Sequence, residues 1–96
     1  MFDKAKDLYK LQKQAKKIKK ELSNTHIESE LEGVKVIVNG EQEVIKIEIS
    51  EEAMADRGKL QTNLEKAVNK AIKKSQQVGA EMMKDIMGDL NIPGLG

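Results

Sequence analysis

Apolar residues near the start of the chain recur at alternating intervals of three and four positions. They are Leu8, Leu11, Ala15, Ile18 and Leu22. This heptad spacing predicts an amphipathic helix of roughly 24 residues with one apolar seam. A seam of this kind is typical of a helix that packs against another helix.

The period of the pattern changes to two in the segment THIESELEGVKVIVNGEQEVIKIEIS, positions 25–50. Ile27 and Leu31 alternate with acidic residues, and two later runs alternate around valines and then isoleucines. Gly33 separates the first two runs, and Asn39-Gly40, a strong hairpin signal, separates the second from the third. The segment therefore predicts a three-stranded antiparallel meander with one strongly acidic face.

Helical spacing returns after the predicted sheet. Ser50, followed by two glutamates, is a helix start, and Gly58 interrupts it, so a short turn of helix precedes a long one. The apolar positions of the long helix are Leu60, Leu64, Ala67, Val68, Ala71, Ile72, Val78, Met82 and Ile86. Gly88 is a natural stop, and residues 88–96 are predicted to form a flexible tail. The predicted fold class is α+β in one domain, 1–96: long helix, three-stranded antiparallel sheet, long helix.

The composition indicates that two chains share a core. Ninety-six residues with only two aromatics, Phe2 and Tyr9, offer little large apolar area for one chain. We therefore expect an obligate homodimer.

Cysteine is absent, which excludes disulfides and thiolate chemistry within this sequence. The basic start lacks the apolar run of a signal peptide, and no stretch is long enough to span a membrane, so the expectation is a cytoplasmic protein without membrane contact.

Charge is segregated along the chain although the net charge is only +1. Residues 1–20 carry +6, residues 21–56 carry −8, residues 57–84 carry +5 and the remainder carries −2. Lysines occupy the outward positions of both long helices. They are Lys6, Lys10, Lys13, Lys16, Lys17 and Lys20 in the first, and Lys66, Lys70 and Lys73, with Lys74 at the flank, in the second.

Three explanations account for these lysine faces. Two are structural: the faces are solvated helix surfaces, or they neutralise the acidic face of the sheet. The third is functional: the faces bind a polyanion. The near absence of interleaved glutamate on the first helix favours a polyanion, because solubility alone is better served by mixed charges. Lysine binds phosphate as a point charge, and Arg57 is the only arginine that could read bases, so the predicted ligand is duplex DNA bound with little sequence specificity.

Enzymatic chemistry finds little support in these residues. The chain has one histidine, His26, one arginine and no cysteine, and VNGEQE lacks the residues of a phosphate-binding loop. We predict no catalytic residue, no metal site, no cofactor and no small-molecule substrate.

Several motifs in order resemble the bacterial YbaB/EbfC family of small nucleoid-associated proteins. They are an initial MF, GVKVIVNGEQEVIKIEIS, LEKAVNKAIKKSQQVGAEMM and GDLNIPGLG, which together cover nearly the whole chain. The resemblance implies an α-β-α protomer, an intertwined homodimer and sequence-tolerant binding of double-stranded DNA through the helices. The chain departs from the family pattern at ISE after the third strand, where IDP is usual, and at the acidic ESELEG before the second.

Two functions remain open from the sequence. The favoured one is a nucleoid-associated, DNA-binding homodimer that organises the chromosome or modulates gene expression. The alternative is a coiled-coil dimeric protein-interaction module whose basic helices dock an acidic protein or an RNA.

Overall fold

The structure is a computed structural model and describes residues 3–90. Two long helices flank a small sheet, in the predicted order, and a short helix precedes the second long one. The elements are α1 (Asp3–Ser23), β1 (His26–Leu31), β2 (Val34–Asn39), β3 (Val44–Ile49), α2 (Glu51–Met54) and α3 (Arg57–Leu90). The α+β prediction is confirmed for the protomer.

The three strands form an antiparallel meander in the order β1-β2-β3. Ile27 and Ser29 of β1 are buried while their neighbours are exposed, as the two-residue period predicts. On β2 the three valines Val34, Val36 and Val38 are fully buried. The predicted strand break at Gly33 is confirmed, because this glycine has a positive φ of 80° in the turn between β1 and β2.

The hairpin between β2 and β3 is confirmed, but its backbone differs from the usual Asn-Gly turn. The amide of Gln42 donates to the carbonyl oxygen of Asn39 at 3.1 Å, and Gln42, not Gly40, has the positive φ of 65°. A β-bulge follows, because Val38 pairs with Val44 whereas Ile37 pairs with Lys46. Ile45 is therefore the extra residue of β3.

Helix α3 lies across β1 and β2 and leaves most of β3 uncovered. Ala67 and Ala71 are fully buried against the valines of β2, since their small side chains allow the helix to approach the sheet closely. Around them pack half-buried apolar residues, most of them predicted from helical spacing: Leu31, Ala53, Leu60, Leu64, Val68, Ile72 and Val78. The core thus lies between one helix and two strands.

Side-chain caps define both helix starts after the sheet. The hydroxyl of Ser50 accepts a hydrogen bond from the amide of Ala53 at 3.1 Å, which confirms the predicted start of α2. A carboxylate oxygen of Asp56 accepts from the amide of Lys59 at 3.0 Å. The break before α3 therefore lies at Asp56, and Gly58 belongs to the first turn of α3 rather than to the interruption.

The predicted stop at Gly88 is two residues early, since α3 continues to Leu90. Apart from its chain neighbours and the nearby backbone of its own helix, no described heavy atom lies within 4 Å of where a Cβ on Gly88 would be, so the helix passes through this glycine without a close tertiary contact. Of the predicted flexible tail, residues 91–96 lie outside the described residues.

The molecule is elongated, with extents of 66 × 20 × 16 Å. The 34 residues of α3 account for about 51 Å at 1.5 Å per residue. Helix α1 contacts the turn after β2 at its C-terminal end, beside Gly40, and also contacts α3. The exposure of its N-terminal half indicates that this half projects from the body. Leu8 and Leu11, in the projecting half, are 61% and 47% exposed, so the heptad seam has no partner there within the described part of the protomer.

Candidate nucleic-acid interface

The lysines of α1 share one face of the helix, opposite the apolar seam. At about 100° per residue, the six predicted lysines fall within an arc of about 120°. They are Lys6, Lys10, Lys13, Lys16, Lys17 and Lys20, and all are exposed. Asp7 and Glu21 lie outside this arc, so no acidic side chain interrupts it. The structure thus brings these six residues together, as predicted.

The lysines of α3 form a narrower stripe along that helix. Lys66, Lys70 and Lys73 are exposed and fall within an arc of about 60°. Lys59 and Lys84 continue the same stripe and were not among the predicted binding residues. The signal that identifies them is their spacing, because Lys59 is seven positions before Lys66 and Lys84 is fourteen after Lys70.

Lys74 lies at the flank of this stripe, about 40° around the helix from Lys70, and at the free edge of the sheet. Its Nζ donates to the backbone carbonyl oxygen of Glu28 at 3.3 Å. Because β1 is an edge strand, this contact satisfies a backbone group that has no neighbouring strand. The geometry gives Lys74 a structural contact that the other predicted lysines lack among the residues described.

The outer face of the sheet is less acidic than expected, because two lysines are interleaved with its glutamates. Lys35 lies 3.9 Å from Glu28, and Lys46 lies 2.9 Å from Glu48. The hydrogen bond from Lys46 and its positive charge hold the pKa of the Glu48 carboxyl below its ordinary value. The prediction of a strongly acidic face is therefore corrected to a face of mixed charge.

Acidic residues also gather around the start of α2 and α3, at an open surface hollow. Its lining includes Glu32, Glu52 and Asp56, together with Lys59. The hollow adjoins the turn between β1 and β2, which is the end of the sheet opposite the junction with α1. The protomer therefore carries its basic α1 face and this acidic hollow at opposite ends of the sheet.

No cluster of three or more histidine, cysteine, aspartate or glutamate residues within the described range is placed to hold a metal ion. Among the helices assigned between residues 3 and 90, none combines the length and apolar character needed to cross a membrane.

Comparison with known sequences identifies the family. Residues 1–90 match the sequence profile of the YbaB/EbfC DNA-binding family. The chain belongs to this family. A nucleoid-associated protein of Desulforamulus reducens is 42% identical over 94 residues, covering 94% of this chain and 90% of the relative. One of Pelotomaculum thermopropionicum is 39% identical with the same coverage.

A solved structure shares the fold of this YbaB/EbfC chain. The crystal structure of an uncharacterized protein from Helicobacter pylori superposes with a TM-score of 0.73 and covers 86% of this chain and 91% of its own. Its sequence is 19% identical, so the match concerns the fold alone. The resemblance drawn from the sequence motifs is confirmed, whereas the assignment of DNA contacts to individual lysines stays a prediction.

Proposed function

We propose that this YbaB/EbfC protein binds duplex DNA with little sequence specificity, as a nucleoid-associated protein that organises the chromosome or modulates gene expression. The observation that carries the proposal is the uninterrupted lysine face of the projecting helix α1. The lysine stripe of α3 extends it. Relatives named as nucleoid-associated proteins support a location at the nucleoid. This function requires no catalytic residue, cofactor, membrane or small-molecule substrate.

The residue types favour contacts with the DNA backbone over contacts with bases. Lysine ammonium groups neutralise phosphates without reading sequence, whereas base recognition in the major groove favours arginine, asparagine or glutamine. The sequence contains only two aromatic residues, Phe2 and Tyr9, so stacking with single-stranded bases has little support. Lys13 and Lys20 are about 10 Å apart along the helix, a separation that follows a DNA backbone without requiring one register.

A homodimer doubles the lysine faces, and strand β3 is the proposed contact surface. Val44, Ile45, Ile47 and Ile49 are all exposed. Ile47 and Ile49 pair with Val36 and Val34, so they lie on the apolar face of the sheet that α3 covers only over β1 and β2. A contiguous apolar strand next to a covered core is typical of an interface, and a second copy offers a matching surface by two-fold symmetry.

Matched pairs of charge-neutralising substitutions test the DNA-binding proposal. Lys13→Gln with Lys17→Gln removes two charges from the α1 face, and Lys35→Gln with Lys46→Gln removes two from the sheet. We expect the first pair to weaken binding to unrelated duplexes to the same degree and to reduce the slope of log affinity against log salt by about two units for each protomer whose α1 face contacts the DNA. The second pair should leave both nearly unchanged. Equal effects of the two pairs on affinity would contradict the proposal.

A second candidate is the coiled-coil interaction module that docks an acidic protein or an RNA. The observation that favours it is the uncovered seam at Leu8 and Leu11. A saturable one-to-one complex with a single protein or RNA, without binding to duplex DNA, would support this function over the first.

A further inference from the structure

Three backbones meet where α1 joins the body of the protein. They belong to Leu22 at the end of α1, Gly40 in the turn after β2, and Gly79 in the middle of α3. A Cβ on Gly40 would lie 2.8 Å from the carbonyl oxygen and 3.1 Å from the Cα of Leu22. A Cβ on Gly79 would lie 3.3 Å from the carbonyl oxygen of Gly40. The two glycines are therefore needed for close approach, and neither has a positive φ.

Hydrogen bonds fix the same contacts. The amide of Gly40 donates to the carbonyl oxygen of Leu22 at 2.8 Å and to that of Thr25 at 3.1 Å. The buried hydroxyl of Ser75 on α3 donates to the carbonyl oxygen of Asn39 at 2.6 Å. The side-chain amide of Asn39 donates to the carbonyl oxygen of Ser23 at 3.4 Å. The turn after β2 is thus bonded to α1 on one side and to α3 on the other.

We propose that this junction of Leu22, Gly40 and Gly79 sets the angle at which α1 projects from α3, and so positions the α1 lysines on DNA. The three residues act through the angle of α1 and not by contact with DNA; they are positioning residues. The inference rests on the proposed function for its DNA-binding part, but the angle itself is measurable without DNA.

The length of α1 makes its lysines sensitive to this angle. Lys6 is sixteen residues from Leu22, or about 24 Å along the helix. A tilt of about 10° at the junction would displace Lys6 by about 4 Å. Successive phosphates on one strand are about 3.4 Å apart along the duplex axis, so a displacement of this size changes which phosphates the outer lysines reach.

Substitutions of the junction glycines by alanine provide a graded test. Gly40→Ala meets backbone atoms of Leu22 and must displace α1, whereas Gly79→Ala meets a longer contact and should displace it less. Gly88→Ala, in the same helix as Gly79, is the control, because a Cβ there meets no described atom within 4 Å beyond its chain neighbours and the nearby backbone of its own helix. If Gly40→Ala fails to fold, Gly79→Ala against Gly88→Ala still tests the proposal.

The angle can be read from one spin-label pair, because the chain has no native cysteine. Cysteines at Gln12 in α1 and Thr62 in α3 are labelled, and labelled chains are diluted with unlabelled ones so that distances within a protomer dominate. Gln12 is ten residues, or about 15 Å, from Leu22, so a tilt of about 10° moves it by about 3 Å at most. We therefore expect the mean label distance to shift by up to about 3 Å in Gly40→Ala, less in Gly79→Ala and not in Gly88→Ala. Affinity for duplex DNA should fall several-fold in the same order, and the salt slope should flatten by about one unit for each lysine that loses its phosphate.

Two results would overturn the inference. If the label distance in Gly79→Ala, and in Gly40→Ala where it folds, matches that of Gly88→Ala, the junction does not set the angle. If the distance shifts while affinity and salt slope stay unchanged, the angle does not position the lysines. Failure of the unaltered protein to bind DNA would instead refute the proposed function and the DNA-binding part of the inference, while the distances would still decide the structural part.

Discussion

Strand β3 supplies the sharpest test of the proposed homodimer, through the substitution Ile47→Ala. The side chain of Ile47 is 42% exposed in the protomer and lies on the same sheet face as the fully buried Val36. Ile37 provides a matched control, because it is also an isoleucine, lies on the neighbouring strand, and points to the opposite, polar face. The two substitutions remove the same atoms from opposite sides of the sheet.

The expected effect follows from the apolar area that a partner would cover. Full burial of an isoleucine side chain contributes about 1.5–3 kcal/mol, so covering the exposed 42% contributes about 1 kcal/mol. A symmetric dimer contains two such sites, and Ile47→Ala should weaken dimerisation by about 2 kcal/mol, or roughly 30-fold in the dissociation constant. Ile37→Ala should leave the dissociation constant almost unchanged.

Sedimentation equilibrium over a range of protein concentrations measures the dimer dissociation constants of the Ile47→Ala and Ile37→Ala variants. Urea unfolding of each variant serves as a check that the protomer core is intact. Dimerisation that is equally strong in Ile47→Ala and in the unaltered protein would refute the assignment of β3 to the interface. A folded monomer of the unaltered protein at micromolar concentration would refute the dimer itself.

Two further predictions concern residues on β1 and α3. Ser29 is 1% exposed, and its hydroxyl has no hydrogen-bond partner among the described residues. Ser29→Ala should therefore raise the free energy of unfolding by about 1 kcal/mol, measured by urea denaturation, and a loss of stability would contradict this. Lys74→Gln should lower affinity for duplex DNA less than Lys70→Gln, since Lys74 is bonded to Glu28 at the sheet edge. A gel-shift comparison that shows equal losses would place both lysines at the DNA.

Sequence periodicity predicted the elements of the fold well, because burial on one face imposes a period that is visible in the residues. Val36 and Ile47 both follow the two-residue period. Whether α3 covers one or both of them depends on where the helix crosses the sheet, which no local pattern records. The sequence could therefore identify apolar faces but not the uncovered surface of β3.

The functions of individual glycines and lysines were harder to predict for the same reason. Gly40 resembled a turn glycine, yet its role is the close approach to Leu22, which is eighteen positions earlier in the sequence. Gly88 resembled a helix stop, but the helix continues through it. Lys74 lies only about 40° around α3 from Lys70, so helical spacing groups the two, and the contact that separates Lys74 is its hydrogen bond to Glu28 at the sheet edge.

The salt dependence of DNA binding decides whether lysines hold the DNA by its phosphates. The unaltered protein is titrated onto several unrelated duplexes at a series of salt concentrations. With about six phosphates neutralised by lysines, log affinity should fall against log salt with a slope near −5 on every duplex. Absence of binding, a slope near zero, or strong binding to only one of the duplexes would contradict a lysine-mediated, sequence-tolerant interaction with the DNA backbone.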